Sequence, residues 1–125
     1  MARSAHFVVP WFTTDVEPTL AGASAAAIQL DGFAGRYGVS PEVRRRLSAI
    51  TIKVVTALGD ERPQVTLEAD IDQGNVQVVL TQARDSGVSV KAALARLATL
   101  EHDGAGFDAR RDGGAVEVWL CLPLA

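Results

Sequence analysis

The spacing of hydrophobic residues changes in the middle of this chain, and that change limits its possible folds most strongly. From Pro41 to Gly59 apolar residues recur every three or four positions, which is typical of a helix with one buried face. From Gln64 to Leu80 they recur every second position, which is typical of strands with one buried face. A helix with one apolar face and a sheet with one apolar face must each bury that face against another element. The sequence therefore predicts helices packed on a sheet.

The helix from Pro41 to Gly59 has the clearest boundaries. Ser40 is placed to cap its N-terminus, Pro41 suits its first turn, and Gly59 follows its last residue. We expect its apolar stripe to face the sheet. The stripe consists of Val43, Leu47, Ile50, Val54 and Leu58.

Two further helices are predicted on either side of this one. An Ala-rich segment from Asp15 to Tyr37 predicts the first, with N-caps offered by Thr13-Thr14-Asp15 and with Gly38 closing it. Ser89 is predicted to cap the third helix, and Asp103-Gly104 to end it. The apolar stripe of the third helix is predicted as Val90, Ala93, Leu94, Leu97 and Leu100.

The strands are predicted from alternation and from turn residues. The segment from His6 to Phe12 predicts an edge strand, because Pro10 cannot donate a backbone hydrogen bond to a neighbouring strand. The alternating segment predicts a hairpin that turns at Asp72-Gln73-Gly74. A second hairpin is predicted from Phe107–Arg111 and Ala115–Leu122, joined by Asp112-Gly113-Gly114.

These elements predict one domain over residues 1–125, of the α/β class in its α+β form. Its architecture is expected to be a two-layer sandwich, with three helices on one face of a mostly antiparallel sheet.

The chain has 12 basic and 15 acidic residues, so its net charge of −3 provides no positive field for nucleic acid or anionic lipid. The single cysteine, Cys121, cannot form an internal disulfide, and no apolar run is long enough to span a membrane. We expect a cytoplasmic protein that binds neither nucleic acid nor membrane.

The order of the elements, a helix pair before one hairpin and a third helix before another, resembles the histidine-kinase-like ATPase domain of sensor histidine kinases and gyrase. Within that superfamily the chain is most similar to the bacterial anti-sigma-factor serine kinases. The resemblance rests on Pro41–Gly59, Gln64–Thr81 and Asp112–Leu122. It implies the histidine-kinase-like ATPase fold, a role in transcription regulation, and a sigma factor or an anti-sigma antagonist as partner.

The residues that perform chemistry in that family are not kept here. In those kinases the second helix has a Glu and an Asn four residues apart, and the Asn helps to hold magnesium on the phosphates. The corresponding positions are Lys53 and Ala57. Ala57 has no side-chain oxygen for a metal, and Lys53 could contact a phosphate only as a point charge. The resemblance therefore implies no catalytic residue and no metal site.

The adenine-binding motif of the family is an Asp followed by glycines, and Asp85 and Gly87 keep part of it. An ordinary turn between a strand and a helix is the favoured explanation of these residues, because Asp, Ser and Gly are common in turns. Because the chain continues from Ser89 directly into a helix, the family's lid over the triphosphate is missing. We expect no cofactor, and residual ATP binding stays an open alternative.

Two tryptophans are candidates for a protein interface. In the last strand the alternation puts Val116, Val118 and Leu120 on one side, and Trp119 on the other. If the first side meets the helices, Trp119 faces outward and can form a patch with Trp11 that anchors a partner. Coverage of Trp119 by the chain's own loops is the alternative.

The main functional hypothesis is a non-catalytic, anti-sigma-factor-like regulatory domain that binds a protein. One alternative is an active ATP-dependent serine kinase, which would have to use Asn75, the one asparagine of the chain. Another is a homodimeric structural or sensory module, paired through a sheet edge or through the Trp119 face. We also expect the regulatory domain itself to be a homodimer.

Overall fold

The computed structural model describes residues 10–59, 64–84, 86–100 and 105–124. The five strands form one antiparallel sheet in the order β1-β2-β3-β5-β4. The predicted α+β class, with three helices and an antiparallel sheet, is confirmed. The elements are β1 (Trp11–Val16), α1 (Leu20–Arg36), α2 (Pro41–Leu58), β2 (Val65–Asp72), β3 (Asn75–Ala83), α3 (Gly87–Leu97), β4 (Gly106–Asp112) and β5 (Ala115–Pro123).

The second helix, α2, has the predicted boundaries. The Ser40 hydroxyl accepts a hydrogen bond from the backbone N–H of Val43 at 3.3 Å. Gly59 caps the other end with a φ of +84°, a conformation that glycine adopts without steric cost. All five residues of the predicted stripe are buried, so the prediction of a helix with one buried face is confirmed.

The first helix begins later than predicted. Thr19 is its N-cap and accepts from the Gly22 N–H at 3.0 Å, whereas Thr13, Thr14 and Asp15 belong to β1. Threonine is common both at helix N-caps and in strands. Here Thr13 and Thr14 are in a strand because β1 pairs with β2, in the register Trp11↔Asp70 to Val16↔Val65. β1 is an edge strand as predicted, but at Trp11–Val16 instead of His6–Phe12. Residues 6–9 lie outside the described part of the chain.

The third helix begins and ends earlier than predicted. Ser86, not Ser89, is the N-cap, and its hydroxyl accepts from the Ser89 N–H at 3.1 Å. The hydroxyl of Ser89 instead accepts a hydrogen bond from Arg84. The helix ends at Leu97, so Leu100 lies beyond it, and the predicted terminator Asp103-Gly104 lies outside the described residues.

Both hairpin turns lie within one residue of their predicted positions, and β3 extends to Ala83, beyond the alternating segment that ends at Leu80. The turn between β2 and β3 consists of Gln73 and Gly74, with φ values of 53° and 79°. Two successive positive φ values are typical of the tight turn that matches the twist of paired strands. Gly113 and Gly114 form the second turn, between β4 and β5.

The core lies between the helices and one side of the sheet. The alternate residues of β2, β3 and β5 on that side are buried, as the period of two predicts, except for Ile71 near the end of β2, which is half-buried. They join one hydrophobic cluster with residues of all three helices. Within the described segments, no helix has both the length and the apolar character that crossing a bilayer requires.

Candidate functional site

The side of the sheet that faces away from the core forms a continuous surface, which we call the open face. In an antiparallel sheet, residues directly opposite each other point to the same side, so the strand register defines the rows of this face. None of the described residues at these positions is fully buried. The rows are Trp11, Asp70, Gln77 and Cys121; then Thr13, Glu68, Val79, Trp119 and Asp108; then Asp15, Thr66, Thr81, Glu117 and Arg110.

A groove of about 320 Å³ lies on the open face, and both tryptophans of the chain line it. Trp11 is 50% exposed and Trp119 is 38% exposed. The alternation along β5 therefore places Trp119 outward, as predicted, and the groove joins it to Trp11. Their role as interface anchors stays a prediction. The rest of the lining is Glu68, Ala69, Asp70, Gln77, Val79, Thr81 and Glu117.

Trp119 already has a cation next to its ring. The guanidinium carbon of Arg110 lies 4.9 Å from the ring centroid, within the range of a cation–π interaction. Arg110 Nε lies 3.5 Å from Glu117 Oε1 and 3.8 Å from Asp108 Oδ2. The indole N–H of Trp119 donates to the same Glu117 oxygen at 3.2 Å. This end of the open face thus holds a guanidinium between an aromatic ring and two carboxylates.

The open face is strongly acidic. Arg110 is the one basic residue at its described positions, so negative charges exceed positive ones by six, compared with a net charge of −3 for the whole chain. Sequence reasoning missed this concentration, because the acids belong to four separate strands. The seven acidic residues are Asp15, Glu68, Asp70, Asp72, Asp108, Asp112 and Glu117.

The positions that correspond to catalytic residues in the kinases lie away from this groove. Lys53 is exposed on α2, and Ala57 is half-buried in its last turn. The Ala57 carbonyl accepts a hydrogen bond from Arg96 Nε at 2.7 Å, and the Leu58 carbonyl accepts from Arg84 Nη1 at 2.6 Å. Two arginine side chains from outside α2 therefore satisfy the carbonyl end of this helix, where the helix dipole favours positive charge.

Arg84 connects three elements. Besides the Leu58 carbonyl of α2, it donates to the amide oxygen of Gln82 in β3 at 2.5 Å. It also donates to the hydroxyl of Ser89 in α3 at 2.9 Å. Gln82 is fully buried, so its amide oxygen depends on protein donors. No sequence signal identified Arg84 or Arg96 as contacts of α2.

The remaining predicted site residues are only partly described. Asp85 lies outside the described residues, and Gly87 is the exposed first residue of α3. Asn75, which an active kinase would have to use, lies at the β2–β3 hairpin, where its Nδ2 donates to the Gln73 carbonyl at 3.2 Å. Across the described ranges, no three His, Cys, Asp or Glu side chains are grouped so that they could hold a metal ion.

Comparison with known proteins does not assign the chain to a family. A scan of the chain against protein-family models and a search of curated proteins both give no match. The fold and the open face define the class of protein as an α+β domain with one acidic, tryptophan-bearing side of its sheet left accessible.

Proposed function

We propose that this chain is a non-catalytic regulatory domain that binds a protein partner on the open face of its sheet. The pair of partly exposed tryptophans in one groove supports the proposal most directly. Tryptophan is among the residues that contribute most binding energy in protein interfaces, and two partly exposed indoles in one groove favour burial by a partner.

The absence of catalysis is supported by the end of α2. Ala57 offers no oxygen to a metal, and the backbone around it is bound by Arg96 and Arg84. These arginines have structural partners, namely the last carbonyls of a helix and a buried amide. Their guanidinium groups are thus used to hold the fold together.

The resemblance to the anti-sigma-factor serine kinases suggests the rest of the proposal. It favours a histidine-kinase-like ATPase fold without its ATPase function, a bacterial cytoplasmic setting, and a sigma factor or its antagonist as partner. A homodimer would have to pair elsewhere than on the open face, because two such faces would bring together two surfaces with six excess negative charges each. The edges of β1 and β4 are the available alternatives.

The first test concerns nucleotide binding. Calorimetric titration of the chain with ATP and magnesium is expected to give no binding heat at ligand concentrations up to about 1 mM, which corresponds to a binding free energy weaker than about −4 kcal/mol. Circular dichroism of the same sample controls for folding. Micromolar binding would contradict the proposal and favour the active kinase.

The second test concerns the two tryptophans. The tagged chain is used to capture its partner from an extract of the source cell, and the bound partner is quantified. Trp119→Ala and Trp11→Ala are each expected to reduce capture about tenfold or more, since interface anchors contribute about 2 kcal/mol or more. Ile28→Ala and Val88→Ala remove exposed apolar side chains from the helices and serve as matched controls. Loss of capture in these controls alone would place the partner on the helical side.

A further inference from the structure

The chemistry of the open face indicates what kind of partner segment fits it. We propose that the segment which occupies the groove is a basic one, with arginine or lysine side chains placed over Trp11 and Trp119. This inference rests on the proposed function and adds to it the chemical class of the partner.

A basic segment complements the charge of the open face. The open face has six more negative than positive charges, and the strands β1, β2 and β3 contain no lysine or arginine. A neutral segment that covered these carboxylates would remove them from water without replacing their hydration, which is costly. An acidic segment would add repulsion. A basic segment both neutralises the face and accelerates association at low salt.

The surroundings of Trp119 already hold one guanidinium group. The domain's own Arg110 stacks at 4.9 Å from the ring centroid, between the carboxylates of Glu117 and Asp108. This contact shows that the surface accommodates a guanidinium over the indole ring. Arginine suits such a place better than lysine, because its flat fork can stack on a ring and bind a carboxylate at once.

The other end of the groove also has an exposed indole, that of Trp11, and strands β1 and β2 contain no arginine. Trp11 is paired across β1 and β2 with Asp70, and Glu68 lies in the next row. Both acids line the same groove as Trp11. An arginine from a partner would find there an exposed indole near the exposed carboxylate of Glu68.

Arg110 has a specific consequence for this proposal. It occupies the ring and the carboxylates that an incoming cation would use, and it repels that cation. Arg110→Gln therefore removes a competitor, and we expect it to tighten binding of a basic segment. A partner of neutral or acidic character would give the opposite result, since it would lose a contact.

The probe for the experiment is an acetylated and amidated peptide of alternating arginine and glycine, and the control probe is the same peptide with glutamate in place of arginine. The readout is the pair of indole N–H resonances, because Trp11 and Trp119 are the two tryptophans of the chain and both lie in the groove. The full chain is titrated at low and at physiological salt.

Both indole resonances are expected to shift with the arginine peptide, and neither with the glutamate peptide. Arg110→Gln is expected to tighten binding about threefold, and Glu68→Gln to weaken it about threefold, as for single exposed charges near a ligand. Glu42→Gln changes the net charge equally but lies on α2, away from the groove, so binding should stay unchanged. Raised salt should weaken binding for every variant.

Two results would overturn the inference. One is weaker binding by Arg110→Gln, and the other is an equal effect of Glu68→Gln and Glu42→Gln, which would indicate attraction to the net charge alone. If the tryptophan variants lose the captured partner while the arginine peptide leaves the indole resonances unmoved, the binding face stands and only the basic partner segment is refuted. If Trp11→Ala and Trp119→Ala capture as much partner as the original chain, the proposed function itself is refuted.

Discussion

Replacement of Arg84 by methionine is expected to lower the free energy of unfolding by about 2–4 kcal/mol, because a hydrogen bond from a charged group contributes about 1.5–3 kcal/mol and this half-buried guanidinium donates several. A domain of this size has a total stability of about 5–15 kcal/mol, so the variant would lose a large share of it. The effect should exceed that of any other arginine substitution in the described part of the chain.

The physical reason is the number of groups that depend on this one side chain. Arg84 donates to the Leu58 carbonyl, the Gln82 amide oxygen and the Ser89 hydroxyl, which lie on α2, β3 and α3. Methionine fills a similar volume but donates nothing. The Gln82 amide is fully buried, and a buried polar group that loses its donor costs about 1–3 kcal/mol.

Urea unfolding followed by circular dichroism measures the change. Arg45→Met removes an exposed arginine of α2 and is the matched control, expected within about 0.5 kcal/mol of the original chain. Arg84→Lys keeps the charge but loses the several N–H donors of the guanidinium. Its free energy of unfolding should therefore lie between those of Arg84→Met and Arg45→Met. Arg84→Met combined with Gln82→Leu should recover part of the loss, because the buried amide is removed together with its donor. A loss below about 1 kcal/mol in Arg84→Met would show that the three elements do not depend on this residue.

The parts of the fold that the sequence predicts well are those in which local signals agree. Ser40, Pro41 and Gly59 mark the same helix that the apolar stripe marks, and α2 has those boundaries in the structure. The turn at Gln73 and Gly74 combines a turn sequence with alternating strands on both sides. Where caps, turn residues and periodicity agree in this way, the boundaries of an element depend little on contacts with residues distant in sequence.

The boundaries that the sequence predicts wrongly are those where one residue type suits two structures. Thr13 and Thr14 are good caps and good strand residues, and only pairing with β2 selects the strand. Ser86 and Ser89 are both able to cap α3. Ser86 has the extended backbone of an N-cap, with φ −155° and ψ 162°, whereas Ser89 lies inside the helix, where its hydroxyl accepts from Arg84 at 2.9 Å.

Some features of the candidate site can be predicted from local sequence, and others depend on the folded sheet. The outward position of Trp119 follows from alternation within a single strand, so sequence alone predicts it. The acidity of the open face depends on which strands are neighbours and in which register they pair, because Glu68, Trp119 and Asp108 lie in one row only in the folded sheet. The contacts of Arg84 and Arg96 with α2 join residues 26 and 39 positions apart. No local pattern encodes such distances.

Truncation of Phe33 to alanine is expected to lower the free energy of unfolding by about 3–5 kcal/mol, as for large aromatic residues in protein cores. Phe33 is 2% exposed on α1, and its ring lies 5.5 Å from that of Phe12 in β1 and 5.3 Å from that of Tyr37. Phe12 and Trp11 are adjacent on β1 and point to opposite sides of the sheet. The contact between Phe12 and Phe33 therefore fixes the strand that presents Trp11 to the groove.

This connection gives the Phe33 variant a signature besides its stability. β1 pairs on one side only, with β2, so the loss of Phe33 should loosen β1 before the rest of the sheet. Backbone amide exchange in β1 and the indole resonance of Trp11 should change, whereas the resonance of Trp119 should not. Leu97→Ala removes a fully buried side chain of α3, at a similar cost of about 2–5 kcal/mol, and should leave Trp11 unaffected. A double-mutant cycle of Phe12→Ala and Phe33→Ala should give a coupling of about 0.5–1.5 kcal/mol. Equal protection of β1 in Phe33→Ala and in Leu97→Ala would show instead that pairing with β2 alone holds the Trp11 end of the open face.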